Sequence, residues 1–299
     1  MAYQTPPTFI LGTHSVGDST ADPGSSHFDS ERDVQALLDA YHSCGYNHLD
    51  TARDYSPSVP GASESRLGRA KAASRFLIRT KVHSADSGDH QPAKLELSIG
   101  QSLGDLQTSS VETMFLHLPD RQTPFEDTAK AMSDALSQGK FKNYGLSNYS
   151  AAEVQRFLDI CEKNRYAKPS VYEGHYNAIV RGGEKELFPL LRKHNMSFHA
   201  YSYFYRQPPV QIAVAIILDL AETHGISGHA AAMRWTAFHS HLEGKFGDSI
   251  VFGVSKVEQL HKILDALESG PLPDDLVEAI TAIYEEVEGA EPPYHLQIG

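Results

Sequence analysis

An α/β fold, a closed (β/α)8 barrel with an extra helix near the C-terminus, is what this sequence predicts, and three observations predict it. Short β-rich runs alternate with amphipathic helical stretches along the whole chain. Eight such strand-plus-helix units can be counted, beginning near residues 8, 46, 76, 111, 142, 170, 197 and 249, and strands separated by helices of this length pair in parallel. No G-x-G-x-x-G turn follows the first strand, so the main sign of an open dinucleotide-binding sheet is missing. Eight units in 299 residues suit a TIM barrel better than a doubly wound sheet. No linker or low-complexity segment divides the chain, so a single domain over 1–299 is expected.

The elements follow from the patterning in order. The run FILG, from residue 8, reads as the first strand. Leu37, Leu38 and Tyr41 stand at helical spacing and place a helix over Val34 to Ser43. Tyr46 to Asp50 and Phe76 to Lys81 are strands on either side of a helix from Glu64 to Ala73. A helix over Lys94 to Leu103 leads to a strand from Val111 to His117. Phe125 to Gln138 is helical and is stopped by Gly139. Lys142 to Leu146 is the fifth strand, and Ser150 is placed to cap a helix over Ala151 to Glu162. Ser170 to Glu173 and Ser197 to Tyr201 are strands around a helix from Glu184 to His194. Two helices, Val210 to Thr223 and Gly228 to His239, precede the last strand, Ser249 to Val254. Its helix runs from Val257 to Leu267, and the extra one from Asp274 to Val287.

Composition excludes several functions. With 26 Lys and Arg against 38 Asp and Glu, the chain carries a net charge of −12, which argues against nucleic acid as a partner. The longest apolar run, Ile212 to Leu218, is far too short to span a bilayer, so no membrane association is expected. The start MAYQTPPTFILG has neither a basic segment nor a long apolar one, and a cytoplasmic protein is expected. Two cysteines, Cys44 and Cys161, suffice for neither a disulfide framework nor a metal motif, and read as small core residues. Among 16 histidines, His239 and His241 stand close together, but no third ligand is spaced to hold a metal.

In such a barrel the active site lies at the C-terminal ends of the strands. The second strand ends at Asp50, with Tyr55 just beyond it in HLDTARDYS. The third ends at Lys81 in FLIRTKV, and the fourth at His117 in TMFLHLPD. Each residue alone has an ordinary structural reading: a loop-capping Asp, a solvated Lys, a core His. Four of them at the same rim of successive strands point to chemistry. Tyrosine is a weak acid at neutral pH, and a neighbouring ammonium favours its anion.

These residues resemble the aldo-keto reductases, with the closest likeness to the aflatoxin-aldehyde reductase branch. The likeness runs through HLDTARDYS, LHLPD, GKFKNYGLSNYSAAEV, VYEGHYNAI, ELFPLLRKHNMSFHAYS, AAMRWTAFHSHLEG and IVFGVSKVEQL, nearly the whole chain. It implies NADPH-dependent reduction of a small-molecule carbonyl substrate to an alcohol. Tyr55 would be the general acid, with Lys81 lowering its pKa, Asp50 holding Lys81, and His117 orienting the substrate oxygen. The resemblance also implies that Ser147, Asn148 and Glu173 hold the nicotinamide carboxamide and that Tyr201 stacks on its ring. Ser255, Lys256 and Gln259 would grip the adenosine 2′-phosphate, helped by the N-terminus of the helix that follows. Relatives include dimers, so a homodimer is compatible with the resemblance.

The chain departs from the family in several places. Glu173 stands where the family has Gln, and a carboxylate can accept a hydrogen bond from the carboxamide but cannot donate one. Ile263 stands where the family has an adenine-contacting Asn. A long Gly-rich segment that covers the pyrophosphate in relatives is replaced by SYFYRQPPVQIA. Arg206 and Gln207 offer a shorter clasp or are surface groups. Tyr203, Phe204 and Tyr205 beside Tyr201 either favour aromatic substrates or fill the space the loop leaves. The Pro-rich SPSVPGAS after Tyr55 is either a substrate rim or a passive loop, and the tail EPPYHLQIG either folds over the barrel mouth or is disordered. A weakened cofactor site would leave an alternative: redox-neutral acid–base chemistry on a carbonyl compound, such as isomerisation, dehydration or cyclisation. A third reading, a non-catalytic binding protein, would not need a paired Tyr and Lys.

Overall fold

The structure, a computed structural model, describes residues 5–202 and 208–295. Eight parallel strands close into a barrel in the order of the chain: β1 (Thr8–Gly12), β2 (His48–Asp50), β3 (Leu77–Lys81), β4 (Val111–Leu116), β5 (Phe141–Ser147), β6 (Val171–His175), β7 (Ser197–Tyr201) and β8 (Ser249–Gly253). Closure joins β8 to β1 over five register pairs, from Thr8 opposite Ser249 to Gly12 opposite Gly253. Because every strand runs the same way, all eight C-terminal ends form one rim, and that rim carries the site.

The helices are α1 (Glu31–Ser43), α2 (Ala62–Arg69), α3 (Pro92–Asp105), α4 (Phe125–Ser137), α5 (Ala151–Asn164) and α6 (Leu187–Lys193). After β7 come α7 (Pro208–Thr223) and α8 (Gly228–Phe238), and after β8 come α9 (Val257–Glu268) and the extra α10 (Asp274–Val287). Every element expected from the patterning is present, with ends shifted by a few residues. The expected helix from Glu64 breaks after Arg69 and resumes as a single 3-10 turn at Ala72–Ser74, because Lys71 between them takes a left-handed backbone with φ 53°.

Local chemistry explains the helix starts. Ser150 caps α5 as expected: its hydroxyl accepts the Glu153 amide, and the Glu153 carboxylate takes the Ser150 N–H at 2.9 Å. Ser30 caps α1 through the Asp33 amide, and Ser227 caps α8 through that of Ala230. Each such cap is worth about 1 kcal/mol. The apolar stripe of α1, Val34, Leu37, Leu38 and Tyr41, is wholly buried against the barrel, and each large side chain so buried contributes about 1.5–3 kcal/mol before entropy is counted.

The layer between helices and strands is one large apolar cluster, joined by a second among α7, α8 and α10 built on Val210, Ile217, Trp235 and Ile280. Cys161 sits in the first cluster as expected. Cys44 does not: it ends α1 and is exposed, its thiol 3.8 Å from His261 Nδ1. Its spacing of three from Tyr41 fits the buried face, but the helix has ended at Ser43 and Cys44 is its C-cap, where the chain leaves the helix.

Inside the barrel the packing is polar and aromatic together. The Phe115 ring stands edge-on to His199 at 6.0 Å, and Arg79 donates to His48 Nδ1 at 2.9 Å. Gly145 on β5 makes room for Phe115, since a Cβ there would lie 2.4 Å from its ring and 2.8 Å from the Val171 carbonyl. Among the described residues, no single helix is long and apolar enough to cross a membrane.

Candidate active site

The rim brings the four expected residues together. Asp50 closes β2, Lys81 closes β3, and His117 follows the last residue of β4. Tyr55 lies on the loop after β2, whose backbone is pinned to β3: the Thr51 amide bonds the Arg79 carbonyl and the Arg53 amide that of Lys81. Lys81 Nζ lies 2.6 and 2.7 Å from the two Asp50 oxygens, 3.0 Å from the Thr51 carbonyl and 3.2 Å from Tyr55 Oη. Tyr55 Oη in turn donates to Asp50 Oδ1 at 3.0 Å. Lys81 and Asp50 are almost completely shielded from water, so the pair interacts far more strongly than it would on a surface.

Glu173 joins this group, across the barrel from β6. Its Oε1 lies 3.1 Å from Lys81 Nζ, and its Oε2 is buried with no hydrogen-bond partner. Burial, added to by the neighbouring Asp50 charge, pushes the Glu173 carboxyl up to about 8. Burial opposes the Lys81 charge, but Asp50 and Glu173 outweigh it and hold the ammonium's pKa above its usual value. The expectation that Glu173 is an acceptor only applies to its carboxylate form. Burial raises its pKa and so favours the protonated form, and a protonated carboxyl can donate as the family's Gln does.

Two histidines flank Tyr55. His117 lies 6.1 Å away and His14 5.0 Å away, both edge-on. Burial pushes the pKa of His117 down, helped by the Lys81 charge and opposed by Asp54, whose Oδ2 lies 3.6 Å from His117 Nδ1. Burial likewise lowers His14. Asp54 accepts from His83 Nδ1 and, at 3.0 Å, from the Ser84 amide. Sequence reasoning missed His14 and Asp54, which lie on loops. The signal for Asp54 was present, since it sits between Asp50 and Tyr55 in the quoted motif.

The residues expected to meet a cofactor fall in two groups. Ser147 and Glu173 face each other in register on β5 and β6. Asn148 follows with a left-handed backbone, φ 67°, a conformation Asn tolerates better than most residues. Its amide donates to the His117 carbonyl at 3.0 Å and to Ser147 Oγ at 2.9 Å, and accepts the Tyr201 hydroxyl. Tyr201 lies parallel to the His175 ring at 5.8 Å. The second group is at the start of α9. Gln259 Oε1 accepts from the Ser255 amide, the Ser255 hydroxyl and the Lys256 amide at 2.8–3.2 Å, and Lys256 is exposed. Ile263 is buried in the core one turn on and offers no polar contact. The donor set fits a nicotinamide nucleotide: an orphaned buried carboxyl oxygen beside Ser147 at one end, a lysine at a helix N-terminus at the other. Tyr203, Phe204, Tyr205, Arg206 and Gln207 lie outside the described residues.

Other candidates resolve structurally. His239 Nε2 accepts the Leu272 amide at 2.9 Å. His83, Asp86 and Asp89 bring ligand atoms within 4.8 Å of one another, but Asp89 is already held by the Asp86 amide at 2.8 Å and by Lys94 at 3.0 Å. The Pro-rich loop is anchored: Asp22 accepts from the Ser56 and Ser58 hydroxyls at 2.5 and 2.6 Å. The tail is described through residue 295 and meets the rim at Tyr294, whose Oη accepts the Ala151 amide at the start of α5 at 2.9 Å; residues 296–299 lie outside the described residues.

Fold and site together define a barrel oxidoreductase. The chain matches the Aldo/keto reductase family over residues 8–285. It is 33% identical over 297 residues to an aldo-keto reductase of Pseudocercospora fijiensis, covering 86% of this chain and 99% of that one. It is 32% identical to human aflatoxin B1 aldehyde reductase member 2, over 95% and 88% of the two chains, and 30% identical to the oxidoreductase sirO of Leptosphaeria maculans, over 99% of each. The chain belongs to the aldo/keto reductase family, near its aflatoxin-aldehyde reductase branch, and is an oxidoreductase of the kind that reduces small carbonyl compounds with a nicotinamide cofactor.

Proposed function

We propose that this protein reduces an aldehyde or ketone to an alcohol with NADPH, and that Tyr55 is the general acid. The observation that supports this most is the Tyr55 hydroxyl held between Lys81 at 3.2 Å and Asp50 at 3.0 Å. When bound, the reduced nicotinamide supplies a hydride to the carbonyl carbon. The substrate oxygen takes the place of Asp50 as acceptor of the Tyr55 proton. As that proton leaves, the developing phenolate faces the Lys81 ammonium, whose charge is fixed by Asp50. His117, neutral near pH 7 because burial lowers its pKa, orients the oxygen without competing for the proton.

Ser147, Asn148 and Glu173 hold the carboxamide in this reading, Tyr201 stacks on the ring, and Ser255, Lys256 and Gln259 receive the 2′-phosphate. The test is NADPH consumption with an aromatic aldehyde, followed by absorbance. Consumption with stoichiometric alcohol supports the proposal. Tyr55-dependent turnover of a carbonyl compound without NADPH use points instead to redox-neutral chemistry.

Lys256 gives a separate expectation. A charge-assisted bond to phosphate is worth about 1.5–3 kcal/mol. Lys256→Ala should therefore weaken NADPH binding roughly tenfold or more while changing NADH binding little. Equal losses for both nucleotides in a fluorescence titration would remove Lys256 from the phosphate site.

A further inference from the structure

Lys81 has more acceptors than protons. An ammonium offers three N–H bonds, and five oxygens lie around this one: both of Asp50, the Thr51 carbonyl, Glu173 Oε1 at 3.1 Å and Tyr55 Oη at 3.2 Å. If the two Asp50 oxygens share one N–H and the Thr51 carbonyl takes the second, a single N–H is left. For that one compete Tyr55 Oη, hydrogen-bonded at 3.2 Å, and Glu173 Oε1, an ion-pair contact at 3.1 Å.

We propose that Glu173 is a positioning residue that must be protonated for Tyr55 to act: as a neutral acid it leaves the third Lys81 N–H to Tyr55, and as an anion it takes that N–H away. This rests on the reading of Tyr55 as the acid. A neutral carbonyl oxygen is the weaker acceptor and cedes the bond to a developing phenolate. A carboxylate is the stronger acceptor, and its charge also opposes a second anion on Tyr55. One proton on Glu173 thus decides whether the single ammonium serves the acid or a spectator.

The surroundings favour the proton. Glu173 is 2% exposed, and its second oxygen is unpartnered. The charged or titratable groups facing it are Asp50 on β2, Lys81 and Arg79 on β3, and His199 on β7. Burial keeps His199 neutral, and β5 brings only the uncharged Ser147 opposite it. Lys81 is shared with Asp50, so Glu173 lacks a full counter-charge of its own, in keeping with a carboxyl pushed up to about 8.

The test needs neither cofactor nor substrate. Tyrosinate absorbance is titrated between about pH 6 and 10, and the Tyr55 component is isolated by subtracting Tyr55→Phe. The same subtraction is made in a Glu173→Gln background, where the competing charge cannot form. Tyr55 should ionise at least about one pH unit lower there. Ionisation at the same pH in both backgrounds overturns the proposal. Glu173→Met, neutral and of similar length, repeats the test should the amide variant not fold. With substrate present, wild-type kcat should fall above about pH 8 without a parallel change in KM, and the Gln variant should keep its rate to higher pH. A protein without any NADPH turnover would defeat the reduction reading while leaving the tyrosinate result to stand or fall alone.

Discussion

Tyr55→Phe is expected to lower kcat for carbonyl reduction by about 10²- to 10⁴-fold, the usual contribution of a positioned general acid. The phenyl ring keeps the edge-on contacts with His14 and His117. Only the oxygen between Lys81 and Asp50 is lost. That oxygen is not needed to satisfy Lys81, which retains Asp50, the Thr51 carbonyl and Glu173. Stability should therefore change little, and NADPH affinity should stay within a few-fold. Steady-state rates and a binding titration on the same preparation separate the outcomes. A variant that retains more than about a tenth of wild-type kcat would show that another group supplies the proton.

Most of the fold was legible because a barrel is built from repetition. Apolar spacing along each helix, such as Leu37, Leu38 and Tyr41, and short β-branched or aromatic runs between them were enough to place eight units. The rim rule then converted the last residue of each strand into a site position, which is how Asp50, Lys81 and His117 were found. What lay across the barrel was not legible. Glu173 on β6 meets Lys81 on β3, strands that are not neighbours in the sheet. No sequence spacing encodes which side chains reach each other through the interior, nor that burial would raise this carboxyl's pKa. The resemblance implies a place for Glu173 among the cofactor ligands and carries no information about its contact with Lys81. Loop residues escaped for a similar reason: His14, and the Tyr294 hydroxyl on the Ala151 amide, depend on chain paths that periodicity does not describe.

The same barrel predicts where it is easiest to break. Asp248, directly before β8, is fully buried and gathers four groups from three segments. Arg192 at the end of α6 donates to both of its oxygens, at 3.0 and 2.5 Å. The amides of Phe198 on β7 and Glu243 before β8 each donate at 2.8 Å. Its own carbonyl accepts the Thr8 amide at 3.0 Å, where β1 begins. This carboxylate therefore fastens β7, β8 and the chain leading into β8 at the bottom of the seam that closes the barrel. Asp248→Ala leaves the buried Phe198 N–H and the part-buried Glu243 N–H without acceptors, the first costing about 1–3 kcal/mol and the second towards the lower end of that range. The Arg192 charge also loses its partner, but it is partly exposed and can turn to water, so its share is discounted. A destabilisation of about 3 kcal/mol or more follows, a fall of roughly 6 °C or more in Tm for a chain of this size. Asp248→Asn keeps one acceptor oxygen and should lose about half as much. Thermal or urea unfolding of the two variants beside wild type measures both. An alanine variant that melts within about 2 °C of wild type would mean that the apolar layer alone holds the seam shut, and that Asp248 is satisfied rather than stabilising.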